Sequence, residues 1–77
     1  MSPYEKELAR LCYNHFTSTG FKNFTYHAYD GNDMINATNT LEAWEEDGYI
    51  SNLIDNGCSF SFIIEDSLIC YLNQSES

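Results

Sequence analysis

The pair Asn56-Gly57 lies between Tyr49–Ile54 and the alternating run Ser59-Phe60-Ser61-Phe62-Ile63-Ile64, and it constrains this chain more than any other feature. Asn-Gly is the strongest short hairpin signal, because both residues tolerate the positive φ that tight turns need. The alternation turns Phe60, Phe62 and Ile64 to one side and the serines to the other, which predicts a half-buried antiparallel strand. Such a hairpin needs a cover for its apolar face. The segments before and after it must supply that cover.

The N-terminal segment supplies part of it. Ser2 is a helix cap, Pro3 suits the first helical position, and Glu5 completes a capping box. Tyr4, Leu8, Leu11, Cys12, His15 and Phe16 then recur at helical spacing, and Gly20 suits termination, so a helix is predicted over 3–18. Residues 21–29 alternate, with Phe24, Tyr26 and Ala28 on one face, and read as a strand. Asp30-Gly31-Asn32-Asp33 reads as a turn. Residues 33–47 read as helical in two pieces, capped at Asp33 and Asn39, with Leu41 and Trp44 inward, Ile35 or Ala37 behind them, and Gly48 as the stop. Glu65-Asp66 reads as a turn. Ser67–Asn73 is apolar on both faces, which fits either a buried strand or a short terminal helix. The fold class predicted is therefore α+β: two helices on a small, mainly antiparallel sheet, with a further terminal strand as one option for the end. Residues 1–77 read as a single domain, and residues 74–77 are expected to be a frayed tail.

Charge narrows the function. The 77 residues hold three basic and twelve acidic side chains, a net of −9. Lys6, Arg10 and Lys22 all precede residue 23, and no Lys or Arg follows. Phosphate-backbone binding rests on Lys and Arg replacing counterions, so no direct nucleic acid partner is expected there. Docking on an anionic membrane is disfavoured for the same reason. No apolar run reaches membrane-spanning length, and the charged N-terminus does not resemble a signal peptide. Cys12, Cys58 and Cys70 read as free, buried thiols, which suits a reducing cytoplasm. With twelve aromatics and a small core, Tyr13, His27 and Tyr29 are expected near the surface, where they suit a homodimer or another partner interface.

Catalytic and metal motifs are weak. Cys12-x-x-His15 places two ligand types on one helix face, but no CxxC accompanies it, so a packed helix face is the reading and no metal is assigned. Asp30-Gly31-Asn32-Asp33 fails the calcium-loop register, which would need Gly at 35 and Glu at 41. No glycine-rich phosphate loop is present, and no cofactor is expected. Glu42, Glu45, Glu46 and Asp47 form the densest acidic cluster, and the three glutamates share one helix face. They read first as a solvated face and next as a docking surface for a basic partner. General acid–base work would need a cleft and separated pKa values, so the chain is expected not to be an enzyme.

Leu41-Glu42-Ala43-Trp44-Glu45-Glu46-Asp47-Gly48-Tyr49-Ile50, followed by the hairpin, resembles the recognition-helix-plus-wing half of winged-helix domains over residues 38–65. The resemblance implies a helix running straight into a two-stranded wing. The positions equivalent to a DNA reader's exposed ones are Thr38, Asn39, Thr40, Glu42, Glu45 and Glu46, with Asp55 and Asn56 in the wing, and no DNA-binding residue is carried over. Those side chains are not the Lys and Arg that such a reader uses. The leading expectation is a small acidic protein-interaction or regulatory module, of a size and charge that suit a phage or other mobile element. The alternatives are a nucleic-acid mimic blocking a basic groove and a winged-helix-like transcription regulator.

Overall fold

The computed structural model describes residues 2–75. α1 spans Pro3–Thr19, β1 Asn23–His27, α2 Gly31–Asp47, β2 Ile50–Asp55, β3 Ser59–Ile64 and α3 Asp66–Ser75. The capping box forms as expected. Ser2 Oγ accepts the Glu5 N–H at 3.3 Å, and Glu5 Oε1 accepts the Ser2 N–H at 3.4 Å. Gly20 (φ 77°) and Gly48 (φ 85°) end α1 and α2 in the left-handed region.

The sheet is antiparallel throughout, in the order β1-β3-β2. The hairpin turns at Gly57 (φ 96°), with the Asn56 N–H donating to Ser59 O at 2.9 Å. β2 carries a bulge between Ser51 and Ile54, where Asn52 takes φ 54°. All three helices pack on the sheet face that carries Tyr26, Ile50, Phe60, Phe62 and Ile64. They bury Leu8, Ala9 and Cys12 from α1, Ala37, Leu41 and Trp44 from α2, and Leu68 from α3. The other face, with Thr25, His27, Ser59, Ser61 and Ile63, contributes no buried residue. The α+β class and the inward set of β3 match the sequence reading.

Several details differ from it. The terminal element takes the helical one of its two options, which makes a third helix beside the two expected. Glu65 O accepts the Leu68 N–H at 3.1 Å, starting a turn of helix where an extended chain would be needed, and Lys22 Nζ pairs with Asp66 Oδ1 at 2.6 Å beside it. Of the expected frayed tail, 74–77, residues 74–75 are the last of α3 and residues 76–77 lie outside the described residues. α2 is one helix with its cap at Asp30, whose Oδ1 accepts the Asp33 N–H at 2.8 Å; neither Asp33 nor Asn39 caps it. Ala37 rather than Ile35 (61% exposed) backs Leu41, and Ala9 rather than Leu11 (41% exposed) lies in the core. A small side chain at each of these positions allows the helix to lie closer to its neighbours.

The cysteines divide in two. Cys12 is buried, and burial pushes its thiol up to about 12; Cys58 and Cys70 are exposed, against the expectation of three buried thiols. Cys58 sits in the hairpin loop, and Cys70 follows the inward Leu68 on the outer side of α3. Alkylation of the native protein followed by mass measurement should therefore add two labels rapidly. The third should add only when denaturant is present. Three labels on the folded chain would contradict the burial of Cys12.

Candidate functional site: an acidic surface at the end of α2

Glu42, Glu45, Glu46 and Asp47 all lie exposed on the last turns of α2. The structure divides them by what they touch. Glu45 reaches across to β2, where its Oε2 accepts the Leu53 N–H at 2.9 Å. That donor is free because the bulge at Asn52 removes it from the ladder. Glu42, Glu46 and Asp47 make no hydrogen bond or ion pair among the described residues. Carboxylates near a helix C-terminus oppose the helix dipole, and no basic residue stands in the last turn of α2.

Two further carboxylates meet this end of α2, and helical spacing gives no reason to associate them with it. Glu65 Oε2 accepts the Ser51 hydroxyl at 2.5 Å, and Asp66 holds Lys22. Between α2, β2 and the start of α3 runs an open groove of about 530 Å³, bordered by Glu45, Asn52, Glu65 and Asp66 with Ile50 at its apolar side. Glu45 and Glu65 are each held through one oxygen, and the other makes no hydrogen bond among the described residues. Two anchored carboxylates facing one groove suit an ammonium or guanidinium group from outside. The only signals in the sequence are the strand end at Ile64 and the acidic pair beyond it. Their approach to α2 depends on the hairpin register.

A second polar cluster sits at the opposite end of α2. Asp33 accepts the Tyr4 hydroxyl on Oδ1 at 2.9 Å, and on Oδ2 the Tyr26 hydroxyl at 2.8 Å and the Tyr29 N–H at 2.9 Å. Partial burial works to raise the Asp33 carboxyl. The Tyr29 N–H and the Tyr26 and Tyr4 hydroxyls outweigh it and hold the group below its ordinary value. Burial, with the Asp33 carboxylate and against the lowering effect of the Tyr26 hydroxyl, pushes the Tyr4 phenol up to about 12; burial and then Asp33 move the Tyr26 phenol upward as well. The adjoining cleft is only about 80 Å³. Asp33 joins α1, β1 and α2, and its chemistry is that of a structural tie.

Cys12 and His15 do not converge on a metal site. His15 Nε2 lies 2.7 Å from Asn23 O, its ring stacks on Phe24 at 4.8 Å, and no three-residue ligand group exists among the described residues. No helix of the described residues is long and apolar enough to cross a membrane. The chain matches no protein-family model, no curated protein and no solved structure.

Proposed function

We propose that this chain is a non-enzymatic interaction module that captures a protein with a basic surface. It binds through the end of α2 and the groove beside β2. The observation that carries this reading is the pair of anchored carboxylates, Glu45 and Glu65, beside the unpaired Glu42, Glu46 and Asp47. Fixed acceptors lose little side-chain entropy when a cation docks, whereas free surface carboxylates lose more. The exposed carboxylates also supply a long-range field that speeds the approach of a basic partner.

A nucleic-acid mimic is the second reading. The helix-plus-hairpin surface that motivates the winged-helix resemblance presents carboxylates at i, i+3 and i+4 and no cation. That is the wrong sign for a DNA reader and the right sign for occupying a basic groove. Under this reading DNA competes for the partner; under the leading reading it does not. A winged-helix regulator is the third, and an unshifted gel with random and operator DNA would end it.

The test is capture from the native host with the wild type and with the Glu42→Gln/Glu45→Gln/Glu46→Gln variant. The Glu45→Gln change keeps an acceptor for the Leu53 N–H, so the bulge is preserved. Capture should weaken roughly tenfold or more in the variant; a steep fall for the wild type between about 50 and 200 mM salt, together with competition by DNA, favours the mimic. Equal capture by the variant would remove the acidic surface from consideration.

A further inference from the structure

We propose that two copies of this chain associate through the free edges of their β1 strands. The strands run antiparallel about a two-fold axis at Thr25, so the two sheets join into one.

β1 is an edge strand with its outer side open. Lys22 O accepts the Ile64 N–H at 2.8 Å, and the Ala28 N–H donates to Cys58 O at 3.0 Å. In the antiparallel register, Lys22, Phe24, Tyr26 and Ala28 thus turn their main-chain groups to β3, and Asn23, Thr25 and His27 turn theirs outward. Among the described residues, the outward N–H and C=O of Thr25 and His27 have no hydrogen-bond partner. Asn23 O accepts only from His15 and keeps a second lone pair. Natural edges are guarded by lysine, proline or a bulge, and Asn23–His27 contains none of these. β2, the other edge, has the bulge and a carboxylate on its Leu53 N–H.

The strand itself selects a second copy as the occupant. Around Thr25 the residue classes mirror one another, with aromatics one position away (Phe24, Tyr26) and four positions away (Phe21, Tyr29). Antiparallel pairing about Thr25 sets Phe24 against Tyr26, Asn23 against His27 and Phe21 beside Tyr29, each contact occurring twice. Phe21 (69% exposed) and Tyr29 (87% exposed) are the two most exposed large apolar side chains among the described residues. Both lie just beyond the ends of β1 and are left largely uncovered by the described residues, and the symmetric pairing brings them together. Four such rings at ~150–250 Å² each supply about half or more of what a stable interface buries. Thr–Thr and aromatic cross-strand pairs are favourable in their own right.

Charge leads to the same edge. Residues 8–29 are the longest stretch of the chain without a carboxylate; they include Arg10, and Lys22, whose ammonium is paired with Asp66. Two molecules of net charge −9 repel on most approaches, and least where these stretches meet. The acidic groove lies on the β2 side of the sheet, so pairing through β1 leaves it open in both copies.

Sedimentation equilibrium of the full chain should show the mass rising from 8.9 kDa toward twice that value between micromolar and millimolar concentration. The Phe21→Asp/Tyr29→Asp variant, confirmed folded by circular dichroism, should remain at 8.9 kDa. Independently of how that variant folds, Thr25→Cys in a Cys58→Ser/Cys70→Ser background should form an intermolecular disulfide on oxidation. Directly opposed residues in such a pair lie about 5.5 Å apart at Cα, within disulfide reach. Ile54→Cys, on β2, should not crosslink. A wild type that stays at 8.9 kDa at millimolar concentration would overturn the proposal. So would a dimer that survives the double substitution, or one that crosslinks equally from Ile54→Cys.

Discussion

Replacing Trp44 by alanine should leave the chain without a cooperative unfolding transition at 25 °C. Trp44 is the largest fully buried side chain, 1% exposed, and it lies in the core cluster with residues from all three helices and the sheet. Truncating a buried tryptophan costs about 3–5 kcal/mol. A domain of this length has roughly that much stability in total. Urea titration followed by far-UV circular dichroism reads the result. A sigmoidal transition within about 2 kcal/mol of the wild type would show that the core closes around the gap. Trp44→Phe should be milder. The indole N–H has no acceptor among the described residues, so phenylalanine removes an unpaired donor along with part of the ring area.

Asp33 is the second position where a large loss is expected. Asp33→Ala leaves the Tyr4 and Tyr26 hydroxyls and the Tyr29 N–H without their shared acceptor. Hydrogen bonds to a charged acceptor contribute about 1.5–3 kcal/mol each. The site is only partly buried and the bonds are coupled, so about 2–3 kcal/mol in total is expected. The pH profile distinguishes this tie from simple packing. The carboxyl is lowered in the folded state, so its contribution is present above the ordinary Asp value and fades as pH falls through the folded one. The Tyr4 phenol is raised to about 12, so its contribution is full below the ordinary tyrosine value and fades as pH climbs toward 12. Denaturation midpoints across pH should show a weaker acid arm in Asp33→Asn and a weaker alkaline arm in Tyr4→Phe. Unchanged arms in both variants would mean that the cluster does not couple to folding.

Local signals account for much of this fold. The box at Ser2 and Glu5, the stops at Gly20 and Gly48, and the alternation of Phe60, Phe62 and Ile64 each act through neighbours a few residues away, where spacing suffices. Asp30 and Asp33 are hard to tell apart in sequence because both are good caps. Tyr4 and Tyr26 decide between them by occupying the Asp33 carboxylate, and Tyr4 is distant in sequence. The end of the chain is ambiguous for a related reason. Leu68 to Leu72 is apolar at both periods, and the burial of Leu68 with the packing of α3 on α1 decides for helix. At the acidic surface, helical spacing identifies Glu42, Glu45, Glu46 and Asp47. It misses Glu65, whose part in the groove arises from hairpin register.

The middle position of β3 governs how the chain must come together. β2 reaches β3 through a turn of a few residues, so the search that pairs them is short. β1 pairs Asn23 with Ile63 and His27 with Ser59, which encloses all of α2 and β2 in the loop that must close. Closing that larger loop costs more chain entropy, and the cost is offset only when Tyr26 and Phe24 reach the core. Forming α2 first shortens the span by converting a flexible segment into a rod. α1 precedes β1 and is delivered with it, so one strand pairing brings the whole N-terminal third into register.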